Sequence, residues 1–486
     1  MLMKKHLNTI LNTICICITS ISLNACNGDK KSEILPYTWT WMSGEPFILD
    51  ILGSYGSGSP ITSGQIGARI GSATWVDNQG NLWIFGGSKS NYMYKNNIQL
   101  FNDLWKYSLI DGRWFWIKGS NTYNSGSVSG GSITPPGSIN KNNTPSARAF
   151  ASSVTDKDGN LWLFGGYTIV NSNQEVSLND LWKYDPKIDS WQWMSGALSS
   201  QATIATTITQ PGSRYASSIW SIDKNLYLFG GIGTDTGSHV GFLQDLWQYN
   251  TNNNMWQLLS NPAIINHVNK PSIAPQQNVA NQSNIPSGRI NTVSVVNNNN
   301  LWLFGGVGCN DTNCGSDSSA NSGYYLNDLW KYDILQNQWT WVSGTLTGNK
   351  KPVVDINGSV IGSKSLATGW IDQNNNIFIY GGLGISDDDS VGLLSDLWKY
   401  NIDNNKWFLI NGTTKANQTI ITSGRGIANI KNTPGARNGA MGWFSNNNLW
   451  LFGGQTFNSD TSDITKANYL NDLWVFKLLP EQQIQP

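Results

Sequence analysis

The sequence is poor in charge, histidine and cysteine. Charged residues make up 13% of the chain, and 31 basic residues balance 31 acidic ones. Zero net charge with so few charged residues argues against nucleic acid or an electrostatically held membrane surface as a partner. Only three of its 486 residues are histidine and five are cysteine. No Ser-His-Asp arrangement, glycine-rich phosphate loop or pair of catalytic glutamates is visible, so the sequence predicts no catalytic residue, metal or cofactor.

The apolar segment at the N-terminus is short for a membrane-spanning helix. Lys4 and Lys5 precede a moderately apolar stretch from Leu7 to Leu23, which leads into Leu23-Asn24-Ala25-Cys26. This order of features predicts an export signal over residues 1–26. Its last four residues resemble a bacterial lipoprotein signal, in which the cysteine becomes the lipidated first residue. We therefore expect lipidation at Cys26 and a lipid-anchored protein of the bacterial cell envelope, in the outer membrane or periplasm. Plain secretion and a retained membrane anchor are the alternatives.

Glycine and tryptophan are abundant and recur in fixed blocks, of which the clearest copy runs from Arg148 to Trp193. The apolar stretch Leu161–Phe164 stops at Gly165-Gly166, which predicts a short strand buried on both faces. Two aromatic stretches follow, one beginning at Asp180-Leu181-Trp182 and one at Trp191, and the turn between them contains Asp, Pro and Ser. One copy therefore predicts a small antiparallel sheet.

The pattern occurs six times, and such a long period indicates propeller blades or a solenoid. Its glycine pairs are Gly86-Gly87, Gly165-Gly166, Gly230-Gly231, Gly305-Gly306, Gly381-Gly382 and Gly453-Gly454. Its Asp-Leu-Trp triplets end at Trp105, Trp182, Trp247, Trp330, Trp398 and Trp474. Each copy begins with a basic residue: Arg69, Arg148, Arg214, Arg289, Lys364 and Arg437.

These residues resemble the kelch motif, which has a basic residue opening the inner strand, a double glycine ending the second strand, and a Tyr and a Trp on the third and fourth. On this resemblance the chain is identified as a member of the kelch-repeat, galactose-oxidase-like propeller family. The resemblance implies an all-β, six-bladed propeller of four-stranded antiparallel blades. Lys364 in place of Arg and Phe476 in place of Tyr depart from the pattern. Function does not follow, because kelch propellers carry unrelated activities.

The sixth copy lacks a fourth strand, since no tryptophan follows Trp474 at the usual spacing. The stretch Trp39-Thr40-Trp41 matches that strand and stands at the other end of the chain. We predict that it pairs with the last three strands, which would close the ring and protect its edges. The expected division is residues 1–26 signal, 27–36 tether, 37–479 propeller and 480–486 C-terminal tail.

Loops on one side of the predicted ring are long, whereas those on the other side are tight turns. The long set comprises 88–100, 308–325, 458–469, 120–147, 260–288 and 411–436. Long loops on a rigid scaffold usually carry binding sites, so we expect ligand binding on this face. The alternative is that these loops are long only through drift of low-complexity sequence rich in Asn and Ser, and carry no binding site.

The candidate ligand-binding residues are the six basic ones: Arg69, Arg148, Arg214, Arg289, Lys364 and Arg437. Because each should open an inner strand, we expect a cationic ring near the channel mouth, suited to carboxylates, phosphates or acidic sugars. The resemblance adds that equivalent arginines face the ligand in some kelch propellers. In the structural alternative each guanidinium bonds backbone carbonyls or stacks on an aromatic ring between blades, and sixfold recurrence favours that alternative.

Cys309 and Cys314 are the only cysteines outside the export segment, and four residues separate them. A local disulfide is the expected state in an oxidising compartment, with free thiols or half of a zinc site as alternatives. The acidic residues Asp387-Asp388-Asp389 and Asp460 with Asp463 could hold calcium, but solvated carboxylates are expected. His239 and His267 could act as general acid or base with Asp235 or Glu175, but exposed loop histidines are expected.

Taken together, these features predict a monomeric cell-envelope lipoprotein that binds a protein or glycan through its long-loop face. The alternative is a periplasmic carbohydrate-active enzyme, such as a sugar-acid epimerase, with its pocket at the ring mouth. A deep polar axial pocket would favour the enzyme, and a broad face of loops would favour the binding protein.

Overall fold

Each of the six sequence repeats contributes to one main antiparallel sheet in the computed structural model; four of these sheets have four strands, that of the first repeat has five and that of the fourth has six. We call these sheets units 1 to 6 in the order of their glycine pairs. The structure describes residues 37–47, 50–55, 62–89, 98–124, 136–170, 174–198, 207, 209–236, 238–260, 275–309, 323–356, 358–457 and 467–478. Strands, turns and loops make up these residues, so the protein is all-β as predicted. Among them no helix is long and apolar enough to cross a membrane.

The strands are numbered in chain order. Unit 1 and the N-terminal strand contribute β1 Trp39–Ser43, β2 Thr62–Gly64, β3 Ala73–Val76, β4 Leu82–Phe85, β5 Leu104–Ser108 and β6 Arg113–Lys118. Unit 2 contributes β7 Ser152–Thr155, β8 Leu161–Phe164, β9 Tyr167–Val170, β10 Gln174–Ser177, β11 Leu181–Asp185 and β12 Ser190–Ser195. Unit 3 contributes β13 Arg214–Tyr215, β14 Ser218–Ile222, β15 Asn225–Phe229, β16 Ile232–Thr234, β17 Val240–Phe242, β18 Leu246–Asn250 and β19 Met255–Ser260.

The second half of the chain repeats the arrangement. Unit 4 contributes β20 Ala280–Asn281, β21 Arg289–Ile290, β22 Val293–Asn297, β23 Asn300–Gly308, β24 Tyr324–Asp333 and β25 Gln338–Ser343. Unit 5 contributes β26 Lys364–Ser365, β27 Thr368–Ile371, β28 Asn376–Tyr380, β29 Leu383–Ile385, β30 Val391–Leu393, β31 Leu397–Asn401 and β32 Lys406–Asn411. Unit 6 contributes β33 Met441–Ser445, β34 Asn448–Phe457 and β35 Ala467–Lys477.

The hydrophobic core lies between neighbouring sheets rather than within one. Strand β8 is buried at all four positions because its two faces pack against units on either side, as its unbroken apolar sequence predicts. One cluster joins Trp75 and Leu104 of unit 1 to Trp182 of unit 2. Equivalent clusters join every following pair of units, and another joins Trp105 of unit 1 to Trp450 of unit 6. The first strands of the units also contact one another in the order β3, β7, β14, β22, β27, β33 and β3 again.

The glycine pairs lie where one unit meets the next. A Cβ on Gly165 would lie 2.5 Å from the carbonyl oxygen of Arg214, and the Gly166 N–H donates to the same oxygen at 3.0 Å. Both glycines have positive φ, 62° and 93°. Only glycine fits this close approach without strain, which explains why the pair recurs. In unit 6, the Gly454 N–H donates to the carbonyl oxygen of Arg69 in unit 1.

The N-terminal strand occupies the fourth position of unit 6. Strand β1 pairs antiparallel with β35, with Trp39 opposite Phe476, and the sheet order is β1-β35-β34-β33. Tyr37 precedes β1 with φ of 55°, and its N–H donates to the carbonyl oxygen of Lys477. Residues two before the fourth-strand tryptophan have the same conformation in the other units: Gly112, Asp189, Asn254, Asn337 and Asn405. Tyr37 therefore completes a strand-to-strand turn although the chain is not continuous there.

Candidate functional site

A buried ion pair joins the basic residue of unit 2 to the aspartate of its Asp-Leu-Trp triplet. Arg148 donates from Nη1 and Nη2 to the two carboxylate oxygens of Asp180, each at 2.7 Å. Its remaining N–H groups donate to the carbonyl oxygens of Gly165 and Ser146 and to the Ser146 hydroxyl. The Trp182 indole N–H also donates to Asp180, at 2.7 Å. All five guanidinium donors of Arg148 are therefore bonded within the protein.

The same arrangement recurs in every unit. The pairs are Arg69 with Asp103, Arg148 with Asp180, Arg214 with Asp245, Arg289 with Asp328, Lys364 with Asp396 and Arg437 with Asp472. The six basic residues are between 0% and 2% exposed. This geometry supports the structural alternative for the predicted ligand-binding residues, because each cation already has a buried partner. Direct contact of these residues with a ligand stays a prediction. The role of the aspartates was not predicted from sequence, although their fixed place before Leu-Trp was the available signal.

Lys364 makes a weaker version of this pair. Its Nζ donates to both oxygens of Asp396 at 2.7 Å. Burial lowers the pKa of Lys364, while the nearby Asp396 carboxylate opposes that shift. The arginines of the other units also donate from Nη1 to the carbonyl oxygen of the first glycine of the pair. A single ammonium group cannot reproduce that planar fork, so unit 5 joins its strands with fewer bonds.

A cavity of about 240 Å³ lies where the first strands of all six units meet. Its lining consists of residues two to five positions after each basic residue, mainly glycine, alanine, serine and threonine. Among the described residues, no ionisable side chain lines it. The cationic ring expected at the channel mouth is therefore absent from this lining, because the six cations turn into the sheets toward their aspartates. The cavity offers hydroxyl and backbone groups but no acid or base.

Six residues with left-handed backbone form one end of that lining. They stand two positions after each basic residue: Gly71, Phe150, Ala216, Asn291, Leu366 and Gly439, with φ between 55° and 65°. The Phe150 N–H donates to the Gly71 carbonyl, the Ala216 N–H to Phe150, and so on through Gly439 to Leu366. These bonds join neighbouring units through the main chain alone. The side chains at these six positions can therefore differ from unit to unit, so no repeated residue type marks the left-handed positions in the sequence.

One comparison with known proteins bears on the family. Residues 135–272 match the family model described as the KLHDC2/KLHL20/DRC7 Kelch-repeats domain. The match supports a kelch-repeat family. The matched residues hold the sheets of units 2 and 3, with two of the buried ion pairs, Arg148–Asp180 and Arg214–Asp245. Kelch repeats suggest a protein-binding propeller module.

The described parts of the connections between second and third strands lie on one face, which we call the long-loop face. In units 3 and 5 they are β-hairpins, β16–β17 and β29–β30. Both hairpins expose a valine, Val240 at 50% and Val391 at 53%. Each hairpin also pairs with the short strand that contains the basic residue of its unit, β16 with β13 and β29 with β26. The face therefore presents ordered elements with exposed apolar side chains.

The connections from each fourth strand to the next unit, which were expected on the long-loop side, lie in part along the outer edges of the sheets. Segment 411–436 lies along the outer edge of unit 6, where the Gly426 N–H donates to the Trp41 carbonyl and the Asn432 amide to that of Trp39. Strand β20 covers the edge strand β25 in the same way, and Gly137 bonds Trp193 in unit 2. Much of the length of these loops therefore covers sheet edges, which prevents pairing with other chains.

The remaining predicted residues have different outcomes. Cys309 is buried and disulfide-bonded, but Cys314 lies outside the described residues, so the pairing of the two stays a prediction. Cys26, His267, Asp460 and Asp463 also lie outside them. The His239 side chain is 71% exposed and lies 3.4 Å from Asp235.

The acidic residues Asp387, Asp388 and Asp389 of unit 5 make hydrogen bonds and an ion pair within the protein. Asp387 accepts from Thr414, and Asp389 pairs with Lys351 at 2.7 Å. Hydrogen bonds from Ser386 and Ser390 lower the pKa of Asp388 to about 2. Across the part of the chain that the structure describes, no group of three His, Cys, Asp or Glu could hold a metal ion.

Proposed function

We propose that this kelch-repeat chain forms a closed six-bladed propeller, anchored by lipid in a bacterial cell envelope, and binds a protein partner through its long-loop face. Each unit supplies one blade. Ring closure is supported by the contact of β33 with β3, by the Trp443 indole N–H donating to the Trp83 carbonyl, and by the core cluster that units 6 and 1 share.

The contrast between the axial cavity and the hairpins favours binding over catalysis. The described lining of the cavity has no acid or base that could transfer a proton and no cation that could pair with an anion, and the basic residues are buried in ion pairs. The hairpins, in contrast, expose Val240 and Val391 on a rigid base, and apolar side chains at such positions suit a protein surface. This contrast carries the choice of a protein partner over an anionic sugar.

Anchoring in the envelope is supported by the sequence around Cys26. A covalent acyl chain would be the apolar handle of the exported chain. Replacing Cys26 with Ala should therefore release the protein from membrane fractions. An intact mass that shows no lipid on the wild-type protein would contradict the anchor.

A photo-crosslinking amino acid placed at Val240 or Val391 tests the binding face. Both positions are exposed, so the substitutions should not disturb the fold. We expect one discrete protein adduct from both positions in intact cells, and none from Ile110, which lies on the opposite face and is 95% exposed. A protein adduct at Ile110 alone, or specific glycan binding by a domain without adducts, would contradict the proposal.

A further inference from the structure

The face opposite the hairpins, which we call the turn face, carries the tight turns between first and second and between third and fourth strands. Three of the third-to-fourth turns expose an aliphatic side chain: Ile110 in unit 1 is 95% exposed, Ile188 in unit 2 is 39% exposed and Leu335 in unit 4 is 73% exposed. Each lies between the paired ends of two strands, such as β5 and β6, and therefore at the tip of its turn. Such turns normally carry polar residues, so the repetition is a feature of this face.

The chain enters the propeller on this same face. Tyr37 has the backbone conformation of the third-to-fourth turns and lies beside Lys477, the last residue of β35. Its position in unit 6 is equivalent to that of Asp189 in unit 2, next to Ile188. A lipid attached at Cys26 is therefore connected to the turn face and not to the hairpins.

The connecting segment is short compared with the sheet. Eleven residue steps separate Cys26 from Tyr37, which allows about 40 Å when fully extended and about 20 Å as a flexible coil. A six-residue strand such as β12 is itself about 20 Å long. For the hairpins to reach the lipid, the segment would have to stretch past the whole sheet and its loops. A segment with the dimensions of a flexible coil would instead keep the turn face next to the lipid.

Two cations of this face already have an acidic partner. Lys157 and Lys224, on neighbouring first-to-second turns, both pair with Asp158, at 3.2 and 2.6 Å. Contact with anionic headgroups would need unpaired cations, whereas aliphatic tips need only the apolar boundary of the bilayer.

We propose that the turn face rests on the bilayer, with Ile110, Ile188 and Leu335 touching the lipid, so that the hairpins point away from the membrane. This orientation rests on the proposed anchor at Cys26. It deepens the proposed function, because it presents the partner-binding face to the surrounding compartment.

Fluorescence quenching on vesicles tests this orientation. A chain starting at residue 27, with a hexahistidine tag at its N-terminus, is attached to phosphatidylcholine vesicles that contain a nickel-chelating lipid and a nitroxide-labelled lipid. A fluorophore is placed on Ile110→Cys, Leu335→Cys or Val391→Cys. We expect quenching about three-fold stronger at positions 110 and 335 than at 391, and unchanged by added salt or by anionic lipid. Equal quenching at the three positions, or stronger quenching at 391, would overturn the orientation.

A second set of variants tests the aliphatic contact. With the fluorophore on Ile110→Cys, Leu335→Asp should reduce quenching about two-fold, whereas the matched control Val391→Asp should leave it unchanged. Equal effects of the two substitutions would overturn the contact. Because attachment uses the tag, the result does not depend on lipidation in the cell, which the intact mass of the wild-type protein reports separately. Failure of the partner-binding proposal would likewise appear in the crosslinking experiment and not in this one.

Discussion

The interior of the sheets and the long-loop face differ in how strictly the six units repeat. Inside, a basic residue and an aspartate meet at 2.6 to 2.7 Å in all six units, and an indole N–H completes each group. On the face, unit 3 has a short hairpin, unit 2 has the separate pair β9–β10, and unit 4 extends its long strands β23 and β24. The buried ion pairs repeat because they join strands of the fold in every unit. The connections on the long-loop face differ from unit to unit, so they are free to serve partner recognition.

Unit 6 departs from most other units at one position, the turn between its third and fourth strands. In unit 2 the Tyr184 hydroxyl donates to Asp189 in the turn, and Tyr249, Tyr332 and Tyr400 bond the asparagine of theirs. In unit 6 the turn residue is Tyr37, whose side chain offers no such amide or carboxylate oxygen, and its ring lies 6.3 Å from Phe476. Phe476 carries no hydroxyl, so this buried position of unit 6 has no hydroxyl that needs a partner.

The largest effect should come from removing the N-terminal strand β1, which we propose closes the ring. Deleting residues 37–44 removes Trp39, which is fully buried against Tyr380 and Phe476, and exposes the edge of β35. We expect a loss of at least about 5 kcal/mol in the free energy of unfolding, measured by urea denaturation.

Two single substitutions serve as controls for that deletion. Trp39→Ala and Trp191→Ala should each cost about 3 to 5 kcal/mol, since both side chains are fully buried in equivalent positions. An unaltered urea midpoint in the deletion variant would show that β1 does not close the ring.

Breaking one interior ion pair should have the next largest effect. Arg148→Ala leaves the Asp180 carboxylate buried without its cation, so the free energy of unfolding should fall by about 3 to 5 kcal/mol. Arg289→Ala should cost about the same, because the geometry in unit 4 is equivalent. Loss of partner binding at unchanged stability would mean that the interior also serves recognition.

Much of the fold could be predicted from sequence because its causes recur. Glycine pairs, buried apolar strands and the displaced Trp39 strand each leave a repeated pattern. The orientation of the basic residues could not be predicted, since a pattern places Arg148 on a strand but does not show that its side chain reaches Asp180 in the same unit. The left-handed positions were also hidden, because main-chain bonds accept Phe150, Ala216 and Leu366 alike.

The smallest effect should come from making unit 5 like the others. Lys364→Arg can restore the bond to the carbonyl of Gly381, so we expect a gain of about 1 kcal/mol in the free energy of unfolding. The reverse change, Arg289→Lys, should lose about the same amount. A loss of stability in Lys364→Arg would show that the unit 5 site is shaped for lysine.

The most direct test of the division between interior and face measures melting temperature and crosslinking yield on the same variants. Arg289→Lys changes only the interior, and Val391→Asp changes only an exposed hairpin residue. With the crosslinker at Val240, we expect Arg289→Lys to lower the melting temperature and leave the yield of protein adduct unchanged below it. Val391→Asp should leave the melting temperature unchanged and lower the yield of protein adduct. An adduct yield that falls in Arg289→Lys while the melting temperature stays constant would contradict the account.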